Sequence, residues 1–270
     1  MVKKLFSHEC VYYLRTLGMF LPIVLVIGIM TRIFRCFDDR NIINKIALSS
    51  SVLLLVLACM ALIVLSVVVC IIRFYRNLYS SEGYLTFTLP VTHTEHLIVK
   101  LSAAMLCQVL CVLTVIASAS IALSGSLLGE LLHEIYLIIQ QLRLLCGTAH
   151  LVTYALELLL LTVLSAATTQ LLYYACITVG QTAKKNRILM AVAAYFIYYT
   201  ATQIIATVFS MIITVLSISG ALNPLTVWIE SHITATIHIY LCFIILICAI
   251  MAAAFWFITK TIMSKKLNLE

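Results

Sequence analysis

Six apolar runs of bilayer length recur along the chain, at about residues 17–34, 47–72, 97–126, 151–179, 188–218 and 234–258, separated by short polar segments. Each approaches or exceeds the roughly 20 residues that a helix needs to cross a hydrocarbon core, so the pattern predicts six spans. Ahead of the first, Lys3, Lys4, Glu9 and Arg15 alternate with Leu5, Phe6, Val11, Tyr12 and Tyr13, the pattern of an interfacial elbow helix. Between the third and fourth spans, Leu127, Leu128, Leu131, Leu132, Ile135, Ile138, Ile139 and Leu142 recur at helical spacing and predict an amphipathic outer helix. Before the sixth, Asn223 as N-cap and Pro224 as first residue predict a short helix carrying Trp228 at interfacial depth.

The longest polar interruption covers residues 73–96. Within it Thr92 and Glu95 have capping-box spacing behind Pro90, so the third long helix is expected to start near Thr92. Glu82 to Thr88 is a short segment, with Gly83 and Pro90 near its ends, in which Tyr84 and Phe87 flank Leu85, and aromatic anchors on a short element suit docking into a partner's cleft. The alternative is a connector packed on its own helices.

Composition narrows the class. Of 270 residues 64% are hydrophobic and 10% charged, and the mean hydropathy is +1.15, which reads as an all-α integral membrane protein. With 3 Pro and 8 Gly, nothing marks a linker, so residues 1–270 are expected to form a single transmembrane domain. The net charge of +7 comes from Lys and Arg scattered at the ends of the apolar runs, a topology signal and not a nucleic-acid surface. The six-span assignment puts Arg32, Arg35, Arg40, Lys45 and Arg143 outside and the other Lys and Arg residues inside, with both termini in the cytoplasm. No small-residue cleavage site follows the N-terminal basic residues, so that segment is expected to be retained. The 10 cysteines lie mostly within apolar runs without paired metal-ligand spacing and read as small core residues, with pairing left open for Cys36 and Cys146 near predicted outer helix ends.

Candidate chemistry is sparse. There is no phosphate-binding Gly-x-x-x-x-Gly-Lys-[Ser/Thr] loop, so ATP is not expected to bind this chain, and no His-Glu-x-x-His or spaced Ser, His and Asp set points to an enzyme. Glu157 is the only carboxylate deep in a predicted span. Such groups face water or protein, so Glu157 either belongs to a substrate path or pairs structurally with a residue such as Arg143. Gln170 on the fourth span and Gln203 on the fifth, among threonines, either line a cavity or stitch helices together. Tyr174 and Tyr198, with neighbouring tyrosines, form either an interfacial belt or the aromatic wall of a cavity.

The segments Arg73-Phe74-Tyr75-Arg76-Asn77-Leu78 and Ser81-Glu82-Gly83-Tyr84-Leu85-Thr86-Phe87-Thr88-Leu89-Pro90-Val91 resemble the loop after the second span in permease subunits of bacterial type-2 ABC exporters, particularly those of Firmicutes. The order of elbow helix, six spans and short outer helix is similar along the whole chain. The resemblance implies that the loop is a coupling helix seated on a separately encoded ABC ATPase, which binds ATP and Mg. It further implies a transporter of two ATPases with two permeases, a second copy or a sister chain, in the cytoplasmic membrane. It associates the chain with export of, or immunity to, amphipathic peptides and antibiotics. The importer-type Glu-Ala-Ala loop is absent, and the 127–142 helix is longer than the shortest permeases of this kind need. A proton-coupled secondary carrier and a non-transporting immunity or scaffold protein are the readings that remain beside it.

Overall fold

The computed structural model describes residues 2–37, 41–79, 83, 91–183 and 185–265. These are helical with no strand, as expected where lipid offers no water to backbone N–H and C=O groups. The helices are α1 (Val2–Leu17), α2 (Phe20–Cys36), α3 (Ile42–Tyr79), α4 (His93–Leu123), α5 (Ser126–Cys146), α6 (Thr148–Gly180), α7 (Arg187–Ile218), α8 (Asn223–Ser231) and α9 (Ile233–Lys265). Helices α3, α4, α6, α7 and α9 are each long and apolar enough to cross a membrane. A sixth crossing needs the pair α1 and α2, which meet at a bend of 42°. At about 1.5 Å per residue the 17-residue α2 is only about 26 Å long, just short of a hydrocarbon core. Gly18 makes the bend, since a Cβ there would overlap the Leu14 carbonyl oxygen that its own N–H bonds.

Two compact units divide the chain, essentially Met1–Gln141 and Leu142–Asn268. The division falls inside α5, and a boundary carried by a continuous helix leaves no Gly- or Pro-rich linker to read.

In the first unit α4 packs on α1, α2 and α3 around Tyr13, Leu17, Val24, Leu62, Val69, Cys70, Ala103, Ala104, Cys107 and Cys111. Small residues allow the close approach. A Cβ on Gly28 would lie 2.8 Å from the Ser118 backbone oxygen, so α2 and α4 touch nearly backbone to backbone. Thr31 donates to the Ser51 carbonyl at 3.3 Å, and Arg35 Nη1 donates to the Ala122 carbonyl at 2.8 Å, satisfying an otherwise open helix-end acceptor. The pairings Gly28 with Ser118 and Arg35 with Ala122 show α2 and α4 running parallel. α3 starts where α2 ends and runs back, the alternation that successive spans require.

In the second unit α6 packs on both α9 and α7. Tyr154 Oη donates to the Thr234 carbonyl at 3.0 Å and Thr168 Oγ1 to the Cys248 carbonyl at 3.2 Å. Both pairs are 80 residues apart in sequence, so α6 and α9 run parallel in a fixed register. α7 turns back along α6, and a Cβ on Gly180 would meet Ala191 at 2.6 Å.

Several boundaries differ from expectation. Residues 73–79, read as loop, continue α3 as helix and bury Arg73, Phe74 and Leu78. Asn223 is the first residue of α8, and its N-cap is Leu222 with no side-chain bond. Cys36 and Cys146, like the other cysteines, are free thiols.

Because α2 and α4 meet at Gly28, Gly28→Val will overpack them and cost about 1–3 kcal/mol, read as a lower unfolding midpoint in detergent. Gly129→Ala, on α5 where nothing lies within 4 Å, will leave the midpoint unchanged.

Candidate functional site

The helices flanking residues 80–90 are fixed from below by ionic contacts. Arg73 near the end of α3, Lys100 in the second turn of α4 and Glu9 on α1 are 7%, 2% and 1% exposed. Arg73 grips Glu9 with both arms, Nε to Oε2 at 3.0 Å and Nη2 to Oε1 at 3.3 Å, and Lys100 Nζ donates to Oε1 at 3.0 Å. The ring of Tyr12 faces the guanidinium with its centroid 4.0 Å from Cζ, a cation–π contact. Burial by itself would raise the Glu9 pKa, but Lys100 and Arg73 outweigh it and hold the carboxyl below its usual range. Glu9 is therefore an ionised group on α1, ahead of the apolar run of α2.

The depth of this cluster follows from helix geometry. Lys100 and Ala122, whose carbonyl receives Arg35, lie 22 residues apart on α4, about 33 Å at ~1.5 Å per residue. That matches a hydrocarbon core of about 30 Å. Two levels of charge, one at Arg35 and one at Glu9, thus bracket an apolar layer of membrane thickness.

At Thr92 the chain enters α4 through the expected capping box. Thr92 Oγ1 accepts from the Glu95 N–H at 3.3 Å while the Thr92 N–H donates to Glu95 Oε2 at 2.8 Å. Of the loop residues singled out by sequence, Gly83 is described, helical and buried. Glu82, Tyr84, Leu85, Phe87 and Pro90 lie outside the described residues.

The structure places the five residues of the expected substrate path at separate points of α6 and α7. Gln170 and Tyr174 lie one turn apart on α6 and are fully buried. Neither the amide oxygen nor the nitrogen of Gln170 has a hydrogen-bond partner, which costs about 1–3 kcal/mol for a buried amide. Tyr198 of α7 packs edge-on against Phe255 of α9, with centroids 5.4 Å apart. Gln203 is exposed and donates to the Tyr199 hydroxyl on its own helix at 3.2 Å. Glu157 stands 13 residues before Gln170, about 20 Å along α6. Its partner is His238 on α9, Nδ1 to Oε1 at 2.8 Å, and not Arg143.

Sequence reasoning missed the roles of Glu9, His150 and His238. Glu9 carries a faint signal as the one carboxylate before Asp38, among basic and aromatic residues of an amphipathic segment. His238 carries none, being a lone imidazole in an apolar run.

Set against protein-family models, curated proteins and solved structures, the chain matches none of them.

Replacing Glu9 with Gln takes the shared carboxylate from two buried cations and will cost about 3–5 kcal/mol of first-unit stability, measured by thermal or denaturant unfolding in detergent. Because the folded chain holds the Glu9 pKa down, this contribution is complete above the usual carboxylate range. It is lost as pH falls through the lowered value, and that acid-side loss will be absent from Glu9→Gln.

Proposed function

We propose that the chain is the membrane subunit of an ATP-driven exporter of the type-2 ABC class, moving amphipathic peptides, antibiotics or similar apolar cargo out of a bacterial cell. Residues 80–90 then rest on a separate ATPase subunit that binds ATP and Mg, and the termini lie in the cytoplasm. A second copy or sister chain completes the pathway.

The observation that carries this reading is the Glu9, Arg73 and Lys100 cluster. It ties both flanks of the loop to the elbow helix at one membrane boundary, so a push on the loop moves α1, α3 and α4 together and is not absorbed at a hinge. Rigid-body rocking of packed helices is the kind of motion by which nucleotide binding in a partner would reopen a cavity on the other side. Further support comes from α7, a 32-residue apolar helix with no buried residue, which leaves broad surface for lipid or a second copy.

The reading is tested by purifying the tagged chain from its native membrane in mild detergent, identifying the co-purifying subunits and assaying ATP hydrolysis and export. Substituting Glu82, Tyr84 and Phe87 together with Ala is expected to cut export at least tenfold while hydrolysis and membrane insertion continue. Normal export by that variant, or export with no ATPase present, contradicts it.

A further inference from the structure

A second group of ionisable residues lies in the other unit, in contact with nothing the exporter reading uses. Glu157 on α6 accepts from His238 Nδ1 on α9 at 2.8 Å, and His238 Nε2 lies 3.1 Å from Nδ1 of His150, one turn into α6 and exposed. Thr153 Oγ1 is 3.5 Å from the same Nε2, and the Tyr154 ring lies tilted against the His238 ring with centroids 4.3 Å apart. Three titratable groups thus form one unbroken line from an exposed imidazole to a part-buried carboxylate within the candidate span α6.

The far end of the line identifies what it can take. The second carboxylate oxygen, Glu157 Oε2, is shut off from solvent and has no hydrogen-bond donor. No metal ion or ammonium reaches Oε2 in this arrangement, whereas a proton handed along the hydrogen bonds reaches the carboxylate at Oε1. The titratable neighbours have other places. Tyr154 gives its hydroxyl to the Thr234 carbonyl, and Cys146 at the end of α5 faces Tyr154. On α8, Glu230 is exposed, and the following His232 stacks on Trp228. Of the α7 residues, Tyr195 meets Tyr173 well down α6. No Lys or Arg pairs with Glu157 among the described residues.

We propose that His150, His238 and Glu157 are a proton-binding chain that takes up one proton from water and stores it on Glu157. At the start Glu157 is a carboxylate, His238 carries its proton on Nδ1 and His150 carries its proton on Nδ1. A solvent proton adds to His150 Nε2, the His150 Nδ1 proton moves to His238 Nε2, and the His238 Nδ1 proton moves to Glu157 Oε1. At the end Glu157 is a neutral acid, both imidazoles are neutral with Nε2–H, and the two hydrogen bonds persist with donor and acceptor exchanged. One proton has entered and one negative charge has left the apolar layer, where an ionised carboxylate is costly. Because the line bridges α6 and α9, the occupied and empty forms bias how these two helices pack. The inference does not depend on an ATPase partner.

The test is infrared difference spectroscopy of the purified chain in lipid vesicles, stepped across the range from about pH 8 to 5 where imidazoles exchange protons. A carboxylic-acid carbonyl band is expected to appear on acidification, to vanish in Glu157→Gln, and to move to the aspartic-acid position in Glu157→Asp. Its rise after a pH jump is expected to slow at least tenfold in His150→Phe, a change at an exposed site that leaves folding alone. Absence of the band in the native chain, its survival in Glu157→Gln, or an unchanged rise in His150→Phe overturns the proposal. Glu157→Asp keeps the test decisive if the Gln variant fails to insert.

Discussion

A carboxylate enclosed between a guanidinium and an ammonium, at the edge of an apolar layer, constrains everything around it. Glu9 cannot leave without stranding charge on Arg73 and Lys100, and neither cation can turn away without exposing the other's share of the carboxylate. The elbow helix, the end of α3 and the start of α4 therefore share one position. Buried ion pairs of this kind contribute little net stability compared with an apolar replacement, because desolvation offsets most of the attraction. What they do contribute is a fixed arrangement, and here the arrangement joins the end of α3 and the start of α4, the two helices that flank residues 80–90 in the sequence. Its distance from the Arg35 level, one membrane thickness along α4, gives the first unit its orientation in the bilayer.

The second unit is held by different means. Its α6 and α9 run parallel in a register that Tyr154, Glu157 and Thr168 each set with a polar contact across the helices. In lipid, where neighbouring tails are as apolar as Leu, such contacts and small residues at the crossing substitute for a hydrophobic drive. Gly180 serves the crossing with α7 in the same way that Gly28 serves α2 and α4.

What could be read in advance is what local physics determines. The long apolar runs give α3, α4, α6, α7 and α9, because length against bilayer thickness needs no partner. Thr92 and Glu95 cap α4 as their spacing dictates, since both partners lie within one turn. Helical continuation through Tyr79 was missed because residues 73–79 are polar enough to resemble a loop, and only the burial of Arg73 against Glu9 makes them otherwise. Contacts made at a distance left little trace. Glu9 meets Arg73 across 64 residues and Lys100 across 91, and Glu157 meets His238 across 81, so no periodicity connects them. For the same reason Arg143 was the nearer candidate for Glu157 and proved the wrong one. Gln170 and Tyr174 share a buried face because both lie on α6, whereas Tyr198 and Gln203 on α7 point to different surroundings.

Under the proposed function, residues 80–90 transmit force from an ATP-binding partner through the Glu9 cluster. The most direct measurement is photo-crosslinking in native membranes from a photoreactive residue at position 84, with the adduct identified by mass spectrometry, in the native background and with Glu9→Gln. The account predicts an adduct to an ATP-binding protein that weakens severalfold when Glu9 loses its charge. Adducts to lipid alone, or an ATPase adduct indifferent to Glu9, would contradict it.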